Sequence, residues 1–355
     1  MSERTGQPSH TSLYEENIAK EKFALIVRFG YVAMSVHLTN ASPSQTMTAT
    51  QFQRLPDREA AIRKLERIAA DNLHNTLRIL RYNQAEQIFL YRLSSKLIPL
   101  QTHELLADWD PYAALEQPLR ELGEYGRQHR FRLSFHPDHF TVFSTPRQDV
   151  LMKSQQDLER HVSLFERMGL DERYKCNIHI GGTYGDKVAA SDRFIQRILQ
   201  LPERLRMRLT LENDDKTFTA KETLDTAHAL GLPMVLDLHH HAVNHQGEHA
   251  VDLWADIQQT WSNEAVRLNQ LEDELLAPKI HISSPKSEKE KRAHADYVEV
   301  DPFLEFARAI APFTPRLDVM IEAKRKDAAL FQLMQDLSTV DGISRINGAA
   351  LEMFS

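Results

Sequence analysis

Eight short apolar runs, each leading into a longer amphipathic stretch, constrain the fold of this chain more than any other feature. They are Ala24 to Phe29, Ile88 to Leu93, Arg130 to Phe135, Tyr174 to Ile180, Met207 to Glu212, Pro233 to Leu238, Pro278 to Ile282 and Leu317 to Glu322. Most are too apolar for simple alternation, as expected of parallel strands covered on both faces. The helical stretches include Asp57 to Ile79, Tyr112 to His129, Asp149 to Met168, Ser191 to Leu201, Ala220 to Leu230 and Pro302 to Ile310. Thr219 and Glu222 are spaced as a capping box. Eight βα units in 355 residues predict an α/β protein, a single-domain (β/α)8 TIM barrel spanning residues 23–355. A polar and flexible segment is expected over residues 1–22. No Gly/Ser linker divides the chain.

Six of the runs end in a residue able to bind a metal. These are Arg132-Leu-Ser-Phe-His136, Cys176-Asn-Ile-His179, Arg208-Leu-Thr-Leu-Glu212, Val235-Leu-Asp237, Lys279-Ile-His281 and Val319-Met-Ile-Glu322. A doubly wound open sheet is the alternative fold, but side chains at the carboxyl ends of strands three to eight converge only if the sheet closes on itself. A histidine in an apolar strand is ordinarily a hydrogen-bonded core residue. A carboxylate at the end of a buried strand must instead be paired or bind a cation. Six such positions at the end of a barrel where active sites are built point to an enzyme with a multi-metal centre. Mixed imidazole and carboxylate ligands favour Mn2+ or Zn2+ over Mg2+, with Co2+ also compatible.

Composition narrows the function further. The content is 42% hydrophobic and 26% charged, that of a globular protein, and residues 1–22 lack the apolar stretch of a signal peptide. No run approaches the roughly 18 apolar residues of a membrane span. A cytoplasmic, membrane-free protein is expected. Cys176 is the only cysteine, so no intrachain disulfide forms and its place in an apolar strand reads as packing. A net charge of −7 argues against a non-specific nucleic-acid coat but not against a DNA enzyme whose bound cations receive the phosphate.

Several residues lie just past the strands. His240 follows Asp237 by three positions and reaches the same centre only if the strand has ended and the chain has turned. Its neighbours His239 and His241 read as exposed loop histidines. His294 lies across the charged loop Ser283 to Arg292, whose lysines and arginine border the metal mouth and are placed to contact phosphate. Lys279 shares a strand face with His281, pointing into the barrel, so its amine must be paired, neutral or chemically modified. The exit His179-Ile-Gly-Gly-Thr-Tyr-Gly185 lacks the Walker lysine and reads as a tight turn. His136-Pro-Asp-His139-Phe140 reads either as a surface loop with one packed phenylalanine or as a wedge entering a DNA stack.

At this point the sequence resembles the UV damage endonucleases of the UvsE/UVDE type. The resemblance rests on Arg28-Phe-Gly-Tyr-Val-Ala-Met-Ser35, Tyr91-Arg-Leu-Ser-Ser95, Ser134-Phe-His-Pro137, Asn177-Ile-His-Ile-Gly-Gly182, Thr210-Leu-Glu-Asn-Asp-Asp-Lys216, His281-Ile-Ser-Ser-Pro-Lys286, His294-Ala-Asp-Tyr-Val298 and Ile321-Glu-Ala-Lys324. It implies a TIM barrel related to endonuclease IV, with up to three divalent ions, typically manganese. It implies His136, His179, Glu212, Asp237, His240, His281, His294 and Glu322 as ligands, with Glu212 and Asp237 as the bridging carboxylates. Lys279 corresponds to a lysine that family members carry in carboxylated form, and with Glu212 and Asp237 it makes up the implied catalytic set. Tyr31, His139, Phe140 and Lys286 are the implied DNA or lesion contacts, with a packing role as the other reading of Tyr31. The family's probing pair commonly has glutamine before the aromatic residue. His139 departs from that pattern.

The implied reaction is metal-dependent hydrolysis of the phosphodiester immediately 5′ to a cyclobutane pyrimidine dimer or 6-4 photoproduct, leaving a 3′-hydroxyl and a 5′-phosphate. Damaged double-stranded DNA is the implied partner. No obligate protein partner is implied, and a monomer associated with the nucleoid when acting on DNA is expected. A xylose-isomerase-like sugar isomerase or epimerase is the rival enzyme, but it would not need His136, His240 and His294 together. A damage-binding module with structural metals is the non-catalytic rival.

Overall fold

The computed structural model describes residues 24–138, 140–270 and 276–354. Eight parallel strands close into a barrel: β1 (Ala24–Val32), β2 (Leu90–Arg92), β3 (Arg132–Phe135), β4 (Lys175–His179), β5 (Leu209–Glu212), β6 (Met234–Asp237), β7 (Lys279–Ile282) and β8 (Arg316–Ile321). Closure is made by β1, which pairs in parallel with β8 over Ile26 to Tyr31 and with β2 over Gly30 to Val32. Gly30 permits that closure, because a Cβ there would lie 2.0 Å from the Leu90 carbonyl oxygen.

The helices between strands form from amphipathic stretches and bury one stripe against the sheet. Helix Arg58–Ala85 starts where Asp57 accepts from the amides of Glu59 and Ala60, and buries Ala61, Leu65, Ala69, Leu73, Leu77 and Leu80 at three- and four-residue spacing. It runs six residues beyond the expected end at Ile79, because buried Asn83 keeps its last turn attached to the barrel. Helix Ala220–Leu230 opens on the expected capping box, with Thr219 and Glu222 exchanging side-chain and backbone hydrogen bonds. Trp254, Trp261 and Phe303 are among the large side chains fully buried in the protein. Among the described residues no helix is long and apolar enough to cross a membrane.

Two further strands lie outside the eight. β9 (Ile343–Arg345) and β10 (Ala350–Phe354) form an antiparallel pair, and β10 adds antiparallel to Ala24 to Arg28 of β1. β10 therefore occupies the lower half of the β1 edge whose upper half takes β2. The pair covers an edge that would otherwise present unpaired backbone groups.

The interior of the barrel is unusually polar. Asp318 on β8 bonds both Arg28 on β1 and Arg132 on β3, and β3 and β8 are not neighbours, so these side chains meet across the lumen near the amino-terminal end. Above them lie Ser134, Asn177, Thr210 and Lys279, all buried. Branched aliphatic side chains usually fill such a lumen. Here a charged column leads toward the carboxyl ends of the strands.

Candidate metal centre

Strand register sets the ligands level with one another. His179 pairs with Glu212 across β4 and β5, and Asp237 pairs with His281 across β6 and β7. His136 and Glu322 stand one residue past β3 and β8. The chain does turn after Asp237: a short helix, Leu238–Val243, starts at once, and Asp237 caps it by accepting from the His240 amide at 2.7 Å. That turn swings His240 back over the barrel.

Seven of the eight expected ligands form three overlapping groups: His136, His179 and Glu212; Glu212, Asp237 and His240; and Glu212, His281 and Glu322. Within each group the candidate donor atoms lie within 4.8 Å of one another. Glu212 belongs to all three. The eighth, His294, falls outside these groups but stands beside them, its ring 6.3 Å from that of His240.

The backbone decides which nitrogen each imidazole presents. Nδ1 of His136, His179, His240 and His294 lies 2.9, 3.1, 2.9 and 2.8 Å from the carbonyl oxygens of Pro137, Glu212, Asn213 and Glu322. A carbonyl only accepts, so each Nδ1 carries the proton and each Nε2 keeps its lone pair for a metal. His281 is the exception. Its Nδ1 faces Glu212 and Glu322 at 3.1 and 3.0 Å.

Charge in the centre is poorly balanced by the chain alone. Burial opposes ionisation of Glu212 and Glu322, yet His281 and His179 hold the first, and Arg92 and His281 the second, well below the usual carboxylate range. Burial, with the Glu212 and Glu322 charges, pushes the Asp237 carboxyl up. The same carboxylates overcome burial to push His240 and His281 up to about 9. Asp237 Oδ2 and His281 Nδ1 are buried without a well-aligned hydrogen bond. The close Nδ1 approaches to Glu212 and Glu322 are thus charge contacts of poor hydrogen-bond geometry. Orphaned donor atoms among three carboxylates and several oriented imidazoles fit divalent cations.

Supporting residues that the sequence reading did not single out complete the site. Asn177 donates to Glu212 and accepts from Thr210 at 2.8 Å, while Arg92 is bonded to Glu322. Asn213 clamps the β5 exit to β6, donating to the Asp237 carbonyl at 3.0 Å and accepting from its amide at 2.9 Å. Asn177 lies two residues before His179, so strand alternation signals its inward face. Lys279 is buried, and no carboxylate among the described residues forms an ion pair with it. Burial, reinforced by Arg132 and Arg92, holds its amine well below the usual lysine range.

Other expectations meet a mixed outcome. His239 and His241 are buried, not exposed loop residues, because the helix after β6 turns them under the mouth. His239 lies 2.6 Å from both Ser283 Oγ and the Lys291 carbonyl, tying down the charged loop. Tyr31 is fully buried and donates to Asn83 at 2.6 Å, so it packs, and the alternative of a DNA contact is corrected. Burial pushes the Cys176 thiol up to about 12, in keeping with packing. Gly181 has φ +107°, and a Cβ there would lie 2.6 Å from Val142, as the tight-turn reading requires. Lys286 is exposed and bonded to Glu290 at 2.8 Å. Phe140 is 71% exposed at the mouth. His139 lies outside the described residues.

The chain matches the UV-endonuclease UvdE family over residues 27–354. It belongs to that family. It is thus an enzyme, a UV damage endonuclease by family, as the resemblance implies. A UV DNA damage endonuclease of Halalkalibacterium halodurans is 44% identical over 327 residues, covering 92% of this chain and 98% of the relative. One from Bacillus cereus is 41% identical over 332 residues, covering 92% and 100%. Among solved structures, that of SacUVDE superposes with a TM-score of 0.75 at 25% identity, covering 88% of this chain and 98% of the other. Its likeness agrees with the closed eight-stranded barrel.

Proposed function

We propose that this UvdE family member hydrolyses one phosphodiester of damaged duplex DNA, immediately 5′ to a cyclobutane pyrimidine dimer or 6-4 photoproduct. The products are a 3′-hydroxyl and a 5′-phosphate. The observation that carries the reading is Glu212, shared by three donor groups that open at the barrel mouth. His136, His179, Glu212, Asp237, His240, His281 and Glu322 would hold up to three divalent ions, with His294 completing the set from the rim. Mn2+ suits this mixture of imidazole and carboxylate ligands. When bound, such ions supply Lewis acidity at the phosphate and activate water, so no protein nucleophile is required.

The chain's own groups prepare that chemistry. Backbone carbonyls hold four imidazoles through Nδ1, which leaves Nε2 as the unprotonated nitrogen of each, and Asn177 and Arg92 hold the Glu212 and Glu322 carboxylates in place. Glu212 and Asp237 would be the carboxylates shared between ions. Lys279 supports a carboxylated form: a neutral amine adds to carbon dioxide with loss of a proton, replacing a cation beside the ions with an anion. Phe140, with His139, is the wedge that enters the stack at a weakened step, and Lys286 contacts phosphate. The protein acts as a cytoplasmic monomer.

Cleavage of an end-labelled duplex carrying one thymine dimer tests the proposal, with Mn2+ and with chelator, beside an undamaged duplex. A metal-dependent nick directly 5′ to the dimer is expected. Folded, metal-replete protein that leaves the dimer strand intact would overturn it.

A further inference from the structure

The opposite end of the barrel holds a second charged constellation that the nuclease reaction does not use. A cavity of about 440 Å3 opens at the amino-terminal ends of the strands, lined by Arg28, Arg127, Arg130, Arg132, Arg173 and Arg316. They come from the starts of β1, β3, β4 and β8 and from the end of helix Tyr112–Gln128, segments far apart in sequence. Buried Phe131 and Tyr174 form part of its wall. The volume falls in the range of roughly 300–1,000 Å3 typical of small-molecule sites.

Local chain interactions leave this charge largely uncancelled. Asp171 holds Arg173 at 2.7 Å, and that residue is set aside. Of the other five, Arg28 and Arg132 share the single carboxylate of Asp318, at 2.8 and 2.5 Å. Arg127 donates to the Met168 and Gly169 carbonyls at 2.7 Å each, capping a helix end without cancelling charge. Arg130 and Arg316 are exposed, with no ion pair among the described residues. Five guanidiniums against one carboxylate leave four positive charges around one cavity, in a chain whose net charge is −7. In addition, Nη2 of Arg132 is buried with no hydrogen-bond partner, although the residue is more than nine-tenths buried. Asp318 and the Trp261 ring, 4.8 Å from the Arg132 guanidinium carbon, offset that group, so the cations left for a ligand are chiefly Arg28, Arg127, Arg130 and Arg316.

We propose that this amino-terminal cavity is a binding site for a nucleotide-sized anion carrying two phosphate groups. Planar guanidiniums match phosphate oxygens in paired hydrogen bonds, and several converging on one cavity select a multiply charged ligand over chloride. The cavity exceeds what one inorganic phosphate fills, and its apolar wall suits a base or sugar. The site lies at the opposite mouth from Glu212, so its occupant does not compete with the DNA strand for the metal centre.

Isothermal titration of the metal-loaded protein with thymidine 3′,5′-bisphosphate, at fixed salt and with Mn2+ held in excess, tests this. Single-site saturable binding is expected in the wild type, weakened about tenfold or more in the double variant Arg130→Gln/Arg316→Gln, the size expected for loss of two charge-assisted contacts. Both positions are exposed, so the variant should fold and nick a thymine-dimer duplex at the wild-type rate, which keeps this test separate from that of the nuclease reaction. Absence of saturable binding to the wild type would overturn the proposal. So would equal affinity in the double variant, which would place the ligand elsewhere.

Discussion

The two ends of the barrel each bury a carboxylate, and they treat it differently. At the amino-terminal end, Asp318 is clamped by Arg28 and Arg132, whose charge does not titrate in the working range. At the carboxyl end, Glu212 meets His136, His240 and His281 within 3.5 Å, and neighbouring donor atoms stay without a bonding partner. A carboxylate matched by the chain's own permanent cations is structural. One surrounded by titratable imidazoles, with orphaned polar atoms on Asp237 and His281 beside it, is suited to cations from outside.

Exchanging each carboxylate for its amide should separate the two ends. Glu212→Gln should lower nicking of a dimer-bearing strand at least about a thousandfold, the loss of several kcal/mol of metal-assisted stabilisation. Binding to the damaged duplex should largely survive, as a gel-shift assay would show. Loss of folding instead would make the metals structural. Asp318→Asn should have the reverse signature. Two guanidiniums left facing no carboxylate should cost about 3–5 kcal/mol, seen by denaturant unfolding, while nicking per folded molecule is retained. Equal destabilisation by both variants would erase the contrast between the ends.

A more modest effect is expected at Phe140. Phe140→Ala should reduce the ratio of damaged to intact duplex affinity about tenfold, in line with the roughly 1–3 kcal/mol of a base-aromatic stack. Hydrolysis of fully bound substrate should change less. An unchanged ratio at fixed salt would remove the wedge from the account.

The smallest effect is the pH dependence of stability, which should run in opposite directions at the two ends. Burial notwithstanding, Arg28 and Arg132 hold Asp318 below its ordinary value, so its contribution is present above about pH 4 and lost as pH falls through the folded-state value. In the metal-free protein His240 and His281 are raised to about 9, so their contribution is complete below about pH 6.5 and lost as pH rises through 9. Bound metal replaces those protons, so metal affinity should rise across the same interval. Melting curves between about pH 2 and 5 would check the first sign, and curves with and without Mn2+ between about pH 6 and 10 the second. Parallel curves would contradict the assignment.

Much of this architecture is legible in the sequence because burial on both faces leaves a parallel strand a continuous apolar run, and a ligand at its end breaks that run. Asp237 and Glu322 stand out for that reason. What escaped has equally physical causes. β9 and β10 hold three and five residues and lie outside the βα alternation, so no period marks them. His239 and His241 look like loop residues until the helix capped by Asp237 buries them. Asn177 and Asn213 act through hydrogen bonds to neighbouring strands, which the sequence does not reveal, although alternation with His179 marks Asn177 as inward-facing. Tyr31 lies near the end of β1, as a site residue would, yet its hydroxyl turns to Asn83 on the surrounding helix.

The carboxyl-end cluster, and not the amino-terminal one, has the donor set for divalent cations, with Glu212 at its centre. The most direct measurement is an anomalous difference map from crystals of the full chain grown with Mn2+. Up to three peaks are expected, each beside one of the groups that share Glu212. A map with peaks only elsewhere, or none beside Glu212 at saturating Mn2+, would contradict it.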